Sequence, residues 1–195
     1  MKVCHWLFAS SLVLAIPSAL LAQEEAAKKL VDNEVMNVME ITMKPGVKTE
    51  GKGHGNVAAY FLTDAKFKMT GEDGASKDYS FKAGDAAWFP AKNETAVNTG
   101  DSDFKLVAAT IKKPGNPPPA GGDPHKVGPD IYKQILANDH VRVYEITFKP
   151  GAKIGMHAHP SHTAYILEGN KLHIAPEGQT GQDFDIAPGA AMFMD

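Results

Sequence analysis

The chain has 195 residues, 43% of them hydrophobic and 22% charged, and a formal net charge of -3. That composition fits one or two ordinary globular domains and excludes a low-complexity or highly charged disordered chain. With a pI near 6.2 and basic residues scattered along the sequence, there is no cationic patch for nucleic acid.

Residues 1–22 open with Lys2, continue through an apolar stretch at 7–16 broken only by Ser10 and Ser11, and end in the small residues Pro17, Ser18 and Ala19 before Ala22. This is the layout of a secretory signal peptide, cut after Ala22. The apolar stretch is shorter than the ~20 residues a spanning helix needs. The expectation is a periplasmic or secreted protein of bacterial type, with no membrane attachment after signal removal. Cys4 is the single cysteine and leaves with the signal, so the mature chain has no disulfide.

The elements that follow read mostly as strands. Residues 24–31, charged and alanine-rich, are expected to be the one helix. At 38–43 apolar and polar residues alternate and stop at Lys44-Pro45-Gly46, a turn signal. Residues 57–62 form a second strand, 65–69 alternate again, and 71–74 are a turn of the E-D-G kind. Residues 78–82 alternate, 83–85 turn, 86–89 are apolar, and 104–112 close the series. Many short strands with turns at short spacing indicate an all-β sandwich or barrel.

The same unit then recurs. V-M-E-I-T-M-K-P-G at 38–46 matches V-Y-E-I-T-F-K-P-G at 143–151, an offset of 105 that holds without a gap. Asn33 falls on Asn138, His54 on His159, Tyr60 on Tyr165, Leu62 on Leu167 and Gly84 on Gly189. Roughly a third of the aligned positions are identical, which marks a duplication. Residues 23–112 are the first unit and 130–195 the second. The Pro- and Gly-rich run at 113–129 is a linker that cannot build a core, and its His125 reads as solvated.

The second unit carries the chemistry. After the Pro150-Gly151 turn come His157, His159 and His162. In a strand, residues i and i+2 share a face, so His157 and His159 aim at one point about 7 Å apart at Cα. Converging neutral imidazoles suit a divalent transition metal. Three within six residues favour a shared metal over solvated loop histidines.

G-(five residues)-H-A-H-P followed by Y-I-L-E-G, at 151–169, resembles the first motif of the cupin superfamily. The resemblance covers both repeats and implies a bicupin, two tandem jelly-roll β-barrels. It implies His157 and His159 as metal ligands. The family's glutamate falls near position 163, where this chain has Thr163, and His162 beside it is the candidate replacement. Glu168 reads as an exposed turn residue. The family's second motif resembles P-A-K-N-E-T-A-V-N-T-G at 90–100, with Glu94 where a histidine is usual and Asn98 on the usual asparagine. In the second unit the equivalents start at Asp195, so this barrel lacks its last strands. Either a longer chain or a partner closes it, and the reading favours the longer chain.

In the first unit Lys52 replaces His157 and Val57 replaces His162, so that unit is expected to be metal-free, with a structural or dimerising role. The alternative is a ligand pocket lined by Lys52, His54 and Glu94, with Tyr165 a further candidate in the second unit. The expected cofactor is one divalent ion, Zn, Fe, Mn, Ni or Cu. The expected partner is a small-molecule ligand or substrate, and the resemblance implies a homodimer. Dioxygenase, isomerase or decarboxylase chemistry is compatible with it, and so is a non-catalytic binding or structural barrel.

Overall fold

Residues 26–49, 53–117 and 124–195 are described by the computed structural model. The alternating segments fold as strands: β1 Ala26–Asp32, β2 Met36–Met43, β3 Asn56–Phe61, β4 Ala65–Gly71, β5 Ser76–Phe81, β6 Ala86–Phe89, β7 Glu94–Asn98 and β8 Phe104–Ile111. A four-residue helix, α1 Pro124–Val127, lies in the linker. The second unit contributes β9 Tyr132–Ala137, β10 Arg142–Ile146, β11 His162–Tyr165, β12 Lys171–Ile174, β13 Gln182–Asp185 and β14 Ala191–Met194. The all-β reading holds. The candidate signal peptide at 1–22 lies outside the described residues.

The helix expected at 24–31 is a misreading. Its described part is strand β1, which pairs antiparallel along β2 from Ala26↔Thr42 to Asp32↔Asn37. Alanine and lysine favour helix only weakly, and a ladder along a neighbouring strand overrides that preference.

In the first unit two antiparallel sheets enclose one core. Their strand orders are β1-β2-β8-β3-β6 and β5-β4-β7. Met43, Ala59, Phe61 and Phe104 from the larger sheet meet Ala65, Phe67 and Met69 from the smaller one, all buried. Phe61 and Phe81 stack at 4.3 Å between centroids, and Phe67 and Tyr79 at 5.2 Å. Phe89 closes on the same group. Aromatic rings therefore fill the interior of this barrel. Asn98 pins its end: the buried amide donates to the carbonyls of Met43 at 2.8 Å and Ser102 at 3.0 Å and accepts from the Gly100 amide at 2.8 Å.

The duplication extends to single hydrogen bonds. Asn33 Oδ1 accepts from the amides of Val35 and Met36 at 2.9 and 2.8 Å, and Asn138 Oδ1 does the same for His140 and Val141 at 2.8 Å. Gly84 and Gly189 both take positive φ, 90° and 79°, and donate to Phe61 and Ile166 at 2.9 Å. A side chain at either glycine would strain the turn.

The units pack through the outer face of the larger sheet. Met36, Val38 and Val107 form a second buried cluster, against which Tyr165 and Phe193 of the second unit pack. The Tyr165 hydroxyl donates to Glu40 Oε2 at 2.8 Å, and Thr163 Oγ1 to Met36 Sδ at 3.0 Å. The contact is reciprocal. Strand β1 meets β14 and, in equivalent positions, β9 meets β6. Tyr165 faces Glu40, and its counterpart Tyr60 lies in the field of Glu145, the counterpart of Glu40. Trp88, the counterpart of Phe193, stacks on His140 at 5.1 Å. One surface is thus used twice, as in an isologous dimer.

Candidate functional site

The segment after the Gly151 turn brings the three histidines of the second unit into one row. The rings of His157 and His159 stand 4.6 Å apart, edge to face, and those of His159 and His162 4.6 Å apart, stacked. Backbone carbonyls fix two of them. His157 Nδ1 donates to Gly155 O at 2.7 Å, and His162 Nδ1 to Pro160 O at 2.8 Å. With those protons placed, each Nε2 keeps its lone pair when the ring is neutral. Anchoring of the far ring nitrogen by a carbonyl is the support that metal-bound imidazoles usually have.

Tyr132, the buried first residue of β9, backs this row. Its hydroxyl lies 3.5 Å from His157 Nε2, and its ring is 6.4 Å from His159. Burial raises the phenol's pKa, so Tyr132 is a neutral donor at ordinary pH. Burial, followed by the neighbouring His162 and His157, lowers the His159 pKa to about 4. His159 is therefore neutral at pH 7, the form that binds metal.

The donor set suits a borderline divalent ion. Its placement is a contacting row of rings: among the described residues no group of three or more His, Cys, Asp or Glu side chains is arranged to hold a metal ion.

Thr163 points away from the row, toward Met36 of the first unit. Strand alternation explains this: His162 and Thr163 occupy opposite faces of β11, so His162 stays with the row while Thr163 joins the inter-unit contact. Tyr165 lies on that contact face too, bonded to Glu40 rather than to the histidines. Burial, then the hydrogen bond and charge of Glu40, push its pKa up to about 12. Glu168 is exposed.

In the first unit His54 and Glu94 come together, with Nε2 and Oε1 3.4 Å apart. His54 Nδ1 donates to Gly55 O at 2.8 Å, and Lys92 Nζ pairs with Glu94 Oε2 at 3.1 Å. The His54 ring stands edge-on to Phe89, so the pair caps the aromatic interior. Lys52 lies outside the described residues. His125 is exposed, with Nδ1 3.3 Å from the Tyr132 carbonyl.

Sequence reasoning missed Tyr132. Its segment Y-K-Q-I-L-A at 132–137 carries no alternation to mark a strand, and the matching segment of the first unit, β1, reads as helix.

No family model and no curated protein matches the chain. Among solved structures it is similar to a cupin domain from Bordetella pertussis, at 23% identity and a TM-score of 0.42, covering 46% of this chain and 94% of that one. It is similar to a double-stranded beta-helix domain protein from Klebsiella pneumoniae, at 20% identity and a TM-score of 0.39, covering 46% and 78%. The polyketide cyclase RemF from Streptomyces resistomycificus is 17% identical with a TM-score of 0.39, covering 58% and 80%.

Proposed function

We propose that this chain is an exported, cupin-like two-unit protein whose second unit binds one divalent metal ion through His157 and His159, with His162 as third donor, and presents it to a small molecule. The observation that carries the reading is the contacting row of three imidazoles, two with Nδ1 tied to carbonyls. A metal bound there supplies an open position that polarises a ligand oxygen or activates water or O2. The chain's own groups orient the rings through Gly155 and Pro160, and Tyr132 offers a hydroxyl beside His157. Zn, Fe, Mn, Ni and Cu are all compatible with imidazole donors. Export rests on the pattern at 1–22.

A second reading is a non-catalytic binding or structural protein. The aromatic filling of the first barrel favours it, because that interior is taken up by the protein's own rings.

Elemental analysis of the purified protein, beside the His157→Ala/His159→Ala double variant, tests the metal. Close to one ion per chain, lost in the variant while the far-ultraviolet dichroism stays unchanged, is the expected result. Metal-free protein in both, after loading with each of the five ions, would sink it. Turnover of a small substrate that disappears with the two histidines would separate the enzyme from the binding protein.

A further inference from the structure

The pairing of β9 turns the Tyr132 side chain toward the histidines. Tyr132 lies opposite Ile146, as Ala27 lies opposite Ile41 in the first unit. Ile41 packs on the first core. Residues directly opposite in an antiparallel ladder share a face, so position 132 faces the interior of its unit. Between the copies, this tyrosine and the histidines change together. Ala27 corresponds to Tyr132, Lys52 to His157 and Val57 to His162. The copy that lacks two of the three imidazoles also lacks the phenol.

The hydroxyl is poorly served by hydrogen bonding. Tyr132 is 6% exposed, and its hydroxyl reaches His157 Nε2 at 3.5 Å. A buried phenol normally closes on a partner, at about 2.7–3.2 Å. The ring is held where it stands. Its backbone amide donates to Gly128 O at 3.1 Å, and it meets Tyr144 and His157 edge to face at 6.0 and 6.1 Å. His157 Nδ1 donates to Gly155 O, so Nε2 turns its lone pair toward the phenol oxygen. The separation is long for a hydrogen bond, but it is the spacing of two donors on one ion. With metal bonds of about 2.0–2.2 Å, two ligands of a tetrahedral centre stand about 3.4 Å apart.

We propose that Tyr132 is an oxygen ligand of the ion bound by His157, which makes the site a mixed imidazole and phenolate one. The inference rests on the histidine site proposed above and adds to it a donor from a different strand. On binding, the O–H bond breaks, its electron pair stays on the oxygen and the proton passes to solvent, one proton for each ion. Tyr144 only packs against the Tyr132 ring.

The test adds one equivalent of Cu(II) to the whole protein and records visible absorption, resonance Raman scattering and bound copper. Copper held by a phenolate gives a visible charge-transfer band, and excitation into that band enhances tyrosine ring modes. Imidazole ligation alone gives neither. The wild type should show both. Tyr132→Phe keeps the ring and should lose both while still binding copper, about tenfold or more weakly. Tyr144→Phe should keep them. The chain has five tyrosines. Should Tyr132→Phe fail to fold, survival of the band in the phenylalanine variants of the other four assigns it to Tyr132. Copper bound to the wild type and lost in the His157→Ala/His159→Ala variant, with no charge-transfer band, overturns the proposal and leaves the histidine site standing. A band that survives Tyr132→Phe overturns it too. A wild type that takes up no copper and none of the other four ions overturns both the histidine site and its phenolate ligand.

Discussion

Replacing Tyr165 with phenylalanine isolates the polar bond between the two units. The ring stays, so packing against Met36 and Val38 is kept, and only the hydroxyl that donates to Glu40 at 2.8 Å is lost. A hydrogen bond to a charged acceptor contributes about 1.5–3 kcal/mol. Both residues are half-buried, so Tyr165→Phe should lower stability by about 1–2 kcal/mol in urea unfolding at neutral pH. The pH dependence follows from the phenol. The folded state holds its pKa at about 12 against an ordinary 10.0, because the phenolate would be part-buried beside a carboxylate. A raised pKa means that the folded state keeps the proton longer, so this stabilisation is whole below pH 10 and is lost as pH rises toward 12. The difference between wild type and variant should therefore shrink over that interval. Ultraviolet titration of the wild type should show a tyrosine titrating at about 12 that the variant lacks. Equal stability of the two proteins at neutral pH, with the same late tyrosine in both, would refute the docking described above.

Phe61 is fully buried at the centre of the aromatic group, so Phe61→Ala should cost about 3–5 kcal/mol. Phe184, the counterpart of Tyr79, is 40% exposed, and Phe184→Ala should cost less than about 1 kcal/mol by the same measurement. Asn98→Ala removes two donors and an acceptor from a buried turn and should cost about 2–3 kcal/mol, with faster amide exchange at Gly100. Hydrogen bonds and charge from Lys112 and Lys29 hold the Asp32 carboxyl at about 2. Its contribution is present above the ordinary value of 3.8 and fades as pH falls toward 2. Lys112→Met should raise the Asp32 pKa in a carbon-detected NMR titration.

Much of this fold is legible because strand alternation is a local signal and the repeat doubles it. The limits of β6, 86–89, are the same in sequence and structure, and the turns at Gly46 and Gly84 recur at Gly151 and Gly189 with positive φ in each. β1 was not legible, because its alanines and lysines carry no alternation strong enough to overcome their helical preference, and the partner strand decides. That error hid β9, and with it Tyr132 behind the histidines. The histidine row was legible only in part: spacing on an extended strand pairs His157 with His159, but residues 157–160 form no strand, and His162, three residues past His159, meets it after the bend at Ser161. Tyr165 could not be placed from spacing, because its partner lies 125 residues away. A signal for it did exist: Tyr60 and Tyr165, and Glu40 and Glu145, are among the residues kept identical in both copies, as a surface that meets its own image requires.

That reciprocal surface has a consequence for how the two halves have diverged. The contact uses the outward side chains of the strands, and the aromatic filling of the first unit uses the inward ones. Residues such as Tyr60 and Glu40 must suit two environments at once, because each works with the other copy's equivalent. An inward residue answers only to its own barrel. One copy fills its interior with aromatic rings, while its twin carries a row of three imidazoles. The seam that joins them is built from other side chains.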